Sequence, residues 1–262
     1  MTVKAWYLGC TSDQIAERVI LLGDPARVHR LSRQLDDVRL LPVNRGLVTA
    51  TGLYRDTRVT LCAFGMGAPI AAIALHELSE LGASVFLRFG TVIALPPARV
   101  GDFVIADRAQ REEGTSGTYA PDDYPAIADE EVVAALVSAA KTQSNPYRVG
   151  AFASYDGFYR DMFALDEATS ERVRANYEAL SANGVLAVDM ETSALLTVGR
   201  VLGCKVGALC LASVDGATQK KINGDELMQH ERTLAEIALE AIVSTSVRSG
   251  DCTGVDSTSV RT

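Results

Sequence analysis

Five short groups of residues in this chain carry types and spacings suited to chemistry, four of them where an apolar run ends and one, Asn44-Arg45-Gly46, where a run begins. Gly23-Asp24-Pro25-Ala26-Arg27 follows the run Arg18–Leu22. Glycine lets a backbone approach a ligand, the start of a helix offers N–H groups to an anion, and Arg27 adds a fork of donors. The same tripeptide is also an ordinary turn. Arg88-Phe89-Gly90-Thr91 ends a second apolar run. An arginine there needs either a counter-charge or an anionic ligand. Asn44-Arg45-Gly46 is a surface turn or a third cationic group. Asp189-Met190-Glu191 interrupts an apolar segment with two acids. They are acceptors for the vicinal hydroxyls of a sugar, or a helix cap and its favourable first turn. Ser213-Val214-Asp215-Gly216 closes another apolar run, with Asp215 as a general acid or a turn residue.

Several other chemistries lack their residues. There is no Walker phosphate loop, no GxGxxG and no HExxH, and Gly65-Met66-Gly67 is too short for a dinucleotide fingerprint. His29, His76 and His230 fall far apart on predicted helices, so neither a histidine triad nor a zinc site is expected, and no metal. The five cysteines (Cys10, Cys62, Cys204, Cys210, Cys252) have no CxxC or metal spacing and read as inert, reduced thiols of a cytoplasmic protein.

The groups must be held by something, and the chain is long enough to build it. Its 262 residues are 48% hydrophobic and 22% charged, which excludes wholesale disorder. A net charge of −8 excludes a broad nucleic-acid surface, although arginines can still converge on a small anion. No apolar run reaches membrane-spanning length, and the first residues turn polar too soon for a signal peptide.

Strands are predicted at 18–22, 47–51, 58–63, 84–89, 102–107, 148–154, 185–189 and 206–214, the second and third forming a hairpin around Tyr54-Arg55-Asp56. Helices are predicted at 26–35, 68–81, 129–143, 167–182, 191–202 and 224–247. This alternation means an α/β protein, expected as one domain over 1–248 with a polar tail at 249–262. In such sheets ligands gather where strands end in loops, which is where four of the groups lie: after 18–22, after 84–89, around Asp189 and around Asp215.

Taken in order, the groups and their neighbours resemble the type I nucleoside phosphorylases, the family of uridine phosphorylases and hexameric purine nucleoside phosphorylases. The matching runs are GDPARV (23–28), NRG (44–46), FGMGAP (64–69), LRFGT (87–91), GDFVIAD (101–107), EGTSGTYAPDDYPA (113–126), VDMETSAL (188–195) and SVDGA (213–217). Single motifs are unspecific; eight in order are not. The resemblance spans about residues 6–247. It implies a three-layer α/β/α fold around a central mixed, twisted sheet.

The resemblance also implies phosphate-dependent cleavage of a nucleoside to free base and pentose 1-phosphate, with phosphate as co-substrate and no cofactor. Gly23, Arg27, Arg45, Arg88 and Thr91 match phosphate-binding positions, and Met66, Met190 and Glu191 match the ribose site. Asp189 matches an acidic position flanking it. Phe158 and Tyr159 match a base-stacking segment, and Asp215 matches the aspartate that serves N7 of a purine. Arg88 and Asp215 are the catalytic candidates, and purine is favoured over uridine. A nucleosidase and a non-catalytic nucleoside-binding protein are the other readings. The family assembles as homodimers, often three in a hexameric ring, each site completed across the dimer.

Four departures stand out. Trp6-Tyr7 replaces an N-terminal histidine that serves a neighbour's ribose, so Tyr7 is the candidate substitute. Val92-Ile93 replaces a small residue and a glycine beside the base, and is expected to narrow that pocket. Met162 and Ala164 stand where uridine phosphorylases carry a Gln and an Arg that read uracil. Gly46 and Ile70 replace the Glu and Ser that hold an intersubunit monovalent cation, so no such ion is expected.

Overall fold

The computed structural model describes residues 4–247; the expected tail at 249–262 lies outside them. Ten strands form one mixed sheet: β1 (Arg18–Leu22), β2 (Asp36–Leu40), β3 (Val48–Tyr54), β4 (Thr57–Ala63), β5 (Val85–Ala94), β6 (Phe103–Glu112), β7 (Ala126–Ile127), β8 (Tyr147–Tyr155), β9 (Val185–Asp189) and β10 (Lys205–Asp215). Six helices accompany them: α1 (Pro25–Leu31), α2 (Ala68–Glu80), α3 (Glu130–Ala140), α4 (Glu167–Ala182), α5 (Thr192–Val201) and α6 (Gly224–Ser244).

Alternation along the strands sorts the core into layers. Ile20, Leu22, Val85, Leu87 and Phe89 pack with α1, α3 and α6, whereas Val19, Leu21 and Phe86 pack with α2 and α5. A strand buried on both faces reads as a continuous apolar run, which is why β1 and β5 were legible. The expected three layers are present, with β1 parallel to both β4 and β5.

The sheet also closes on part of itself. The strand order is β10-β6-β8-β9-β5-β1-β4-β3-β2, and β10 pairs with β5 as well, so five strands form a ring. Small side chains fill the ring, among them Ala94, Ala106, Ala187, Ala208, Cys210 and Ala212, with Val92, Val104 and Phe152.

Some boundaries differ from expectation. β5 and β6 run on to Ala94 and Glu112, well past the expected ends at 89 and 107. β2 was not expected at all: it is an edge strand whose five residues are exposed, so Asp36-Asp37-Val38-Arg39-Leu40 carries no burial pattern. The first predicted helix ends at Leu31 and tightens into a 3₁₀ turn over Ser32–Gln34.

Candidate active site

The carboxyl ends of β1 and β4 lie side by side at Leu22 and Ala63, level with Phe89 midway along β5, and the loops that leave β1 and β4 meet there. β1 runs into Gly23 and α1. Asp24 caps this helix, its Oδ1 accepting from Ala26 N at 2.9 Å, so that amide is satisfied internally rather than left for an anion. A Cβ on Gly23 would meet the Gly65 carbonyl at 3.0 Å, so glycine lets the β1–α1 and β4–α2 loops abut. Met66, between two glycines of positive φ, is 82% exposed.

At the centre lies a buried ion cluster. Arg88 on β5 donates from Nε to Asp189 Oδ2 at 2.9 Å and from Nη2 to Glu191 Oε2 at 2.5 Å. Glu191 Oε1 accepts from Gly67 N at 2.7 Å, tying the β4–α2 loop to the start of α5. Burial works against the charge on Arg88, but the carboxylates of Glu191 and Asp189 overcome it and hold the guanidinium firmly protonated. Burial also pushes the Glu191 carboxyl up, a shift that Arg88 opposes and Asp189 reinforces. One cation thus faces two acids.

Behind this cluster runs a polar chain that sequence reasoning missed. Ser154 on β8 donates to Asp189 Oδ1 at 2.5 Å and accepts from Ser193 N at 2.9 Å. Thr192 caps the same carboxylate through its backbone N and its hydroxyl. Ser193 Oγ donates to Glu113 Oε1, Glu113 Oε2 accepts from Ser116 N, and Arg111 Nε donates to Ser116 Oγ, each at 2.9 Å. These residues are not adjacent in sequence; β8, α5 and the loop after β6 meet only in the fold. Glu113, Ser116, Thr192 and Ser193 lie within the runs at 113–126 and 188–195, and Ser154 within a buried-strand run, but nothing in the sequence joins them.

The other anion-binding candidates divide into two groups. Arg27 has its guanidinium 5.8 Å from the Phe89 ring, with Nε donating to Glu231 Oε2 at 2.9 Å. Thr91 is half-buried further along β5. Arg45 stands apart. It occupies a left-handed turn position (φ 52°), is exposed, and stacks its guanidinium 4.9 Å from the Tyr7 ring. Asn44 fastens that turn by donating to the Tyr7 carbonyl at 2.7 Å. Among the described residues no hydrogen bond or ion pair links Arg45 or Tyr7 to Arg88.

A third region lies over the ends of β5, β9 and β10. Ile93, Met162 and Val188 form an apolar cluster, and Met190, Phe158 and Val214 pack onto it. Phe158 opens a π-helical turn, Phe158–Met162, stacks 5.7 Å from Phe163 and meets Tyr159 edge-on at 5.0 Å. Tyr159 itself is 60% exposed. Val92 points the other way, into the ring of five strands, so only Ile93 of the pair shares a cluster with Phe158 and Met190. Asp215 ends β10, with Oδ1 accepting from Thr218 N and Oγ1 at 2.7 Å each. Ala164 is half-buried and Met162 buried.

A conserved-family profile described as the phosphorylase superfamily matches residues 17–248. The chain belongs to that superfamily. Among its relatives, the guanosine phosphorylase of Halorubrum lacusprofundi is 37% identical over 228 residues, covering 85% of this chain and 89% of that protein. The uridine phosphorylase of Thermococcus kodakarensis is 34% identical over 218 residues, 82% and 79% of the two chains. That of Escherichia coli is 33% identical over 242 residues, 90% and 96%. A crystal structure of uridine phosphorylase from Vibrio fischeri superposes with a TM-score of 0.83 at 32% identity, over 92% of this chain and 96% of that one. Like these nucleoside phosphorylases, the chain is a pentosyltransferase.

Within this superfamily member, Gly90 has a specific task. A Cβ at Gly90 would overlap the Arg88 guanidinium, which lies back along β5. Arg88 is pinned by two carboxylates, so Gly90→Ala is expected to fold but to displace the guanidinium and lower turnover roughly 100-fold. Steady-state kinetics on the folded variant check this; unimpaired turnover would show that the position of Arg88 does not matter.

Proposed function

We propose that the chain cleaves the N-glycosidic bond of a nucleoside with inorganic phosphate, giving free base and pentose 1-phosphate without a metal or cofactor. The observation that carries this reading is the buried Arg88 on β5, held by the Asp189 and Glu191 carboxylates, on the strand next to the one that runs into Gly23 and Arg27, with Arg27 over the Phe89 ring. Guanidinium and hydroxyl donors suit a divalent oxyanion, and a carboxylate suits the 2′- and 3′-hydroxyls of ribose. Met190 and Met66 supply apolar contact to the sugar. A phosphate oxygen bonds to C1′ as the C1′–N bond breaks, and the electron pair leaves with the base. Phosphate held beneath the sugar stabilises the positive charge that develops on it.

Arg45 and Tyr7 serve the site of a second copy of the chain, in a homodimer or a hexamer made of three dimers. Support comes from their mutual contact away from Arg88 and from the neighbouring Trp6, 76% exposed. A cytoplasmic setting accords with the buried thiols of Cys10, Cys62 and Cys210, which burial pushes up to about 11, 12 and 12. Among the described residues no helix is long and apolar enough to cross a membrane.

Uridine is the substrate that the names of the relatives support best. A purine nucleoside is the second reading, favoured by two particulars. Met162 and Ala164 offer no side-chain hydrogen bonds to read uracil. Asp215 ends β10, next to Val214 of the apolar cluster with Phe158, Ile93 and Met190, and offers a carboxyl group to N7 of a departing purine. Rates of base release from uridine, inosine and guanosine, compared for the wild type and Asp215→Asn, decide between them. If purines are the substrates, the substitution lowers their cleavage about 100-fold. Efficient uridine cleavage, equal in both proteins, returns Asp215 to a turn residue.

A further inference from the structure

We infer that Glu231, on α6, is a positioning residue that aims Arg27 at the oxyanion site. Glu231 is far from every motif that drew attention in the sequence, 204 residues from Arg27, and only 6% exposed. Its Oε2 accepts from Arg27 Nε at 2.9 Å, and its Oε1 accepts from Arg30 Nε at 2.5 Å. Arg30 in turn donates from Nη2 to Asp24 Oδ2 at 3.1 Å. This inference rests on the proposed phosphate site, of which Arg27 is one wall.

The geometry assigns a direction. A guanidinium is a rigid planar fork, so fixing Nε fixes where the two terminal NH₂ groups point. Glu231 engages Arg27 through Nε, which leaves the terminal groups for another acceptor. The ring of Phe89, one residue after Arg88, lies 5.8 Å from the guanidinium and supports it. Charge is balanced as well. Glu231 is shared between two guanidiniums, Arg27 and Arg30, and the second acid, Asp24, is bonded by Arg30 rather than by Arg27. An arginine on a surface helix loses much rotamer freedom when it binds phosphate; Glu231 removes that loss in advance.

Calorimetric binding of inorganic phosphate tests this without any need for turnover. It is measured on the wild type, Glu231→Gln, Arg27→Met and the double variant, each checked for fold by circular dichroism. Glu231→Gln keeps the shape but not the charge, and is expected to weaken phosphate about 10-fold, with nucleoside KM unchanged in parallel kinetics. In the Arg27→Met background the same change should do nothing further, since Glu231 acts only through Arg27. Should Glu231→Gln not fold, Glu231→Asp, with the charge kept and the reach shortened, is read the same way. Unchanged or tighter phosphate binding, or a full additional loss in the Arg27→Met background, overturns the inference. Absence of phosphate binding by the wild type overturns the proposed function and the inference together; normal wild-type binding with unaffected variants overturns the inference alone.

Discussion

Replacing Arg88 with alanine is expected to cut phosphate-dependent turnover by roughly 1000-fold, the effect of removing a preorganised charged donor from a water-poor site. Arg88 is 4% exposed and, among the described residues, is the sole cation bonded to both Asp189 and Glu191. Its loss therefore also exposes two acids to each other in a buried place, a change that costs on the order of 3–5 kcal/mol when one partner of a buried pair is removed. Lower thermal stability accompanies the lost activity, so fold must be verified before the kinetics are read. Arg88→Lys separates the two effects. It keeps the positive charge for Asp189 and Glu191 but gives up the bidentate fork, so it should be the more stable variant and still turn over slowly. Turnover by Arg88→Lys close to wild type would contradict a role for the fork in holding phosphate.

Glu191→Ala carries the second large effect, with the opposite consequence for the fold. Removal of the Glu191 carboxylate leaves Arg88 and Asp189 as a matched pair. The variant is therefore expected to stay folded. Two charge-assisted hydrogen bonds to the sugar, at about 1.5–3 kcal/mol each, are lost with it, so ribonucleoside cleavage should fall roughly 1000-fold. A 2′-deoxyribonucleoside has only one of those hydroxyls and should lose less, by about 10-fold or more. Equal losses for the two sugars in kcat/KM would mean that Glu191 serves Arg88 and Gly67 alone.

What could be read from the sequence follows from how locally each feature is encoded. β1, β5, α2 and α5 were legible because each announces itself by its own apolar pattern. Arg88 and Glu191 were legible as misfits, charged residues at the ends of apolar runs, and the fold joins them directly at 2.5 Å. β2 was invisible because an exposed edge strand has no burial pattern to display. The closure of β10 onto β5 was invisible because strand pairing between residues more than a hundred apart leaves no trace in periodicity. The same holds for Ser154 and Glu231, and for the pairing of Ser193 with Glu113, since each partner lies on another element. Val92 and Ile93 show the limit of reading a pair: strand alternation sends one into the ring of five strands and the other toward Phe158, so the two differ in what they touch.

The central claim, that phosphate is the nucleophile, is tested most directly by phosphorus NMR of the purified protein with a nucleoside it cleaves, with and without phosphate. The account predicts a pentose 1-phosphate resonance that grows in step with free base, and no base release when phosphate is omitted. Base released at the same rate without phosphate, with no sugar phosphate formed, would contradict it and make water the nucleophile.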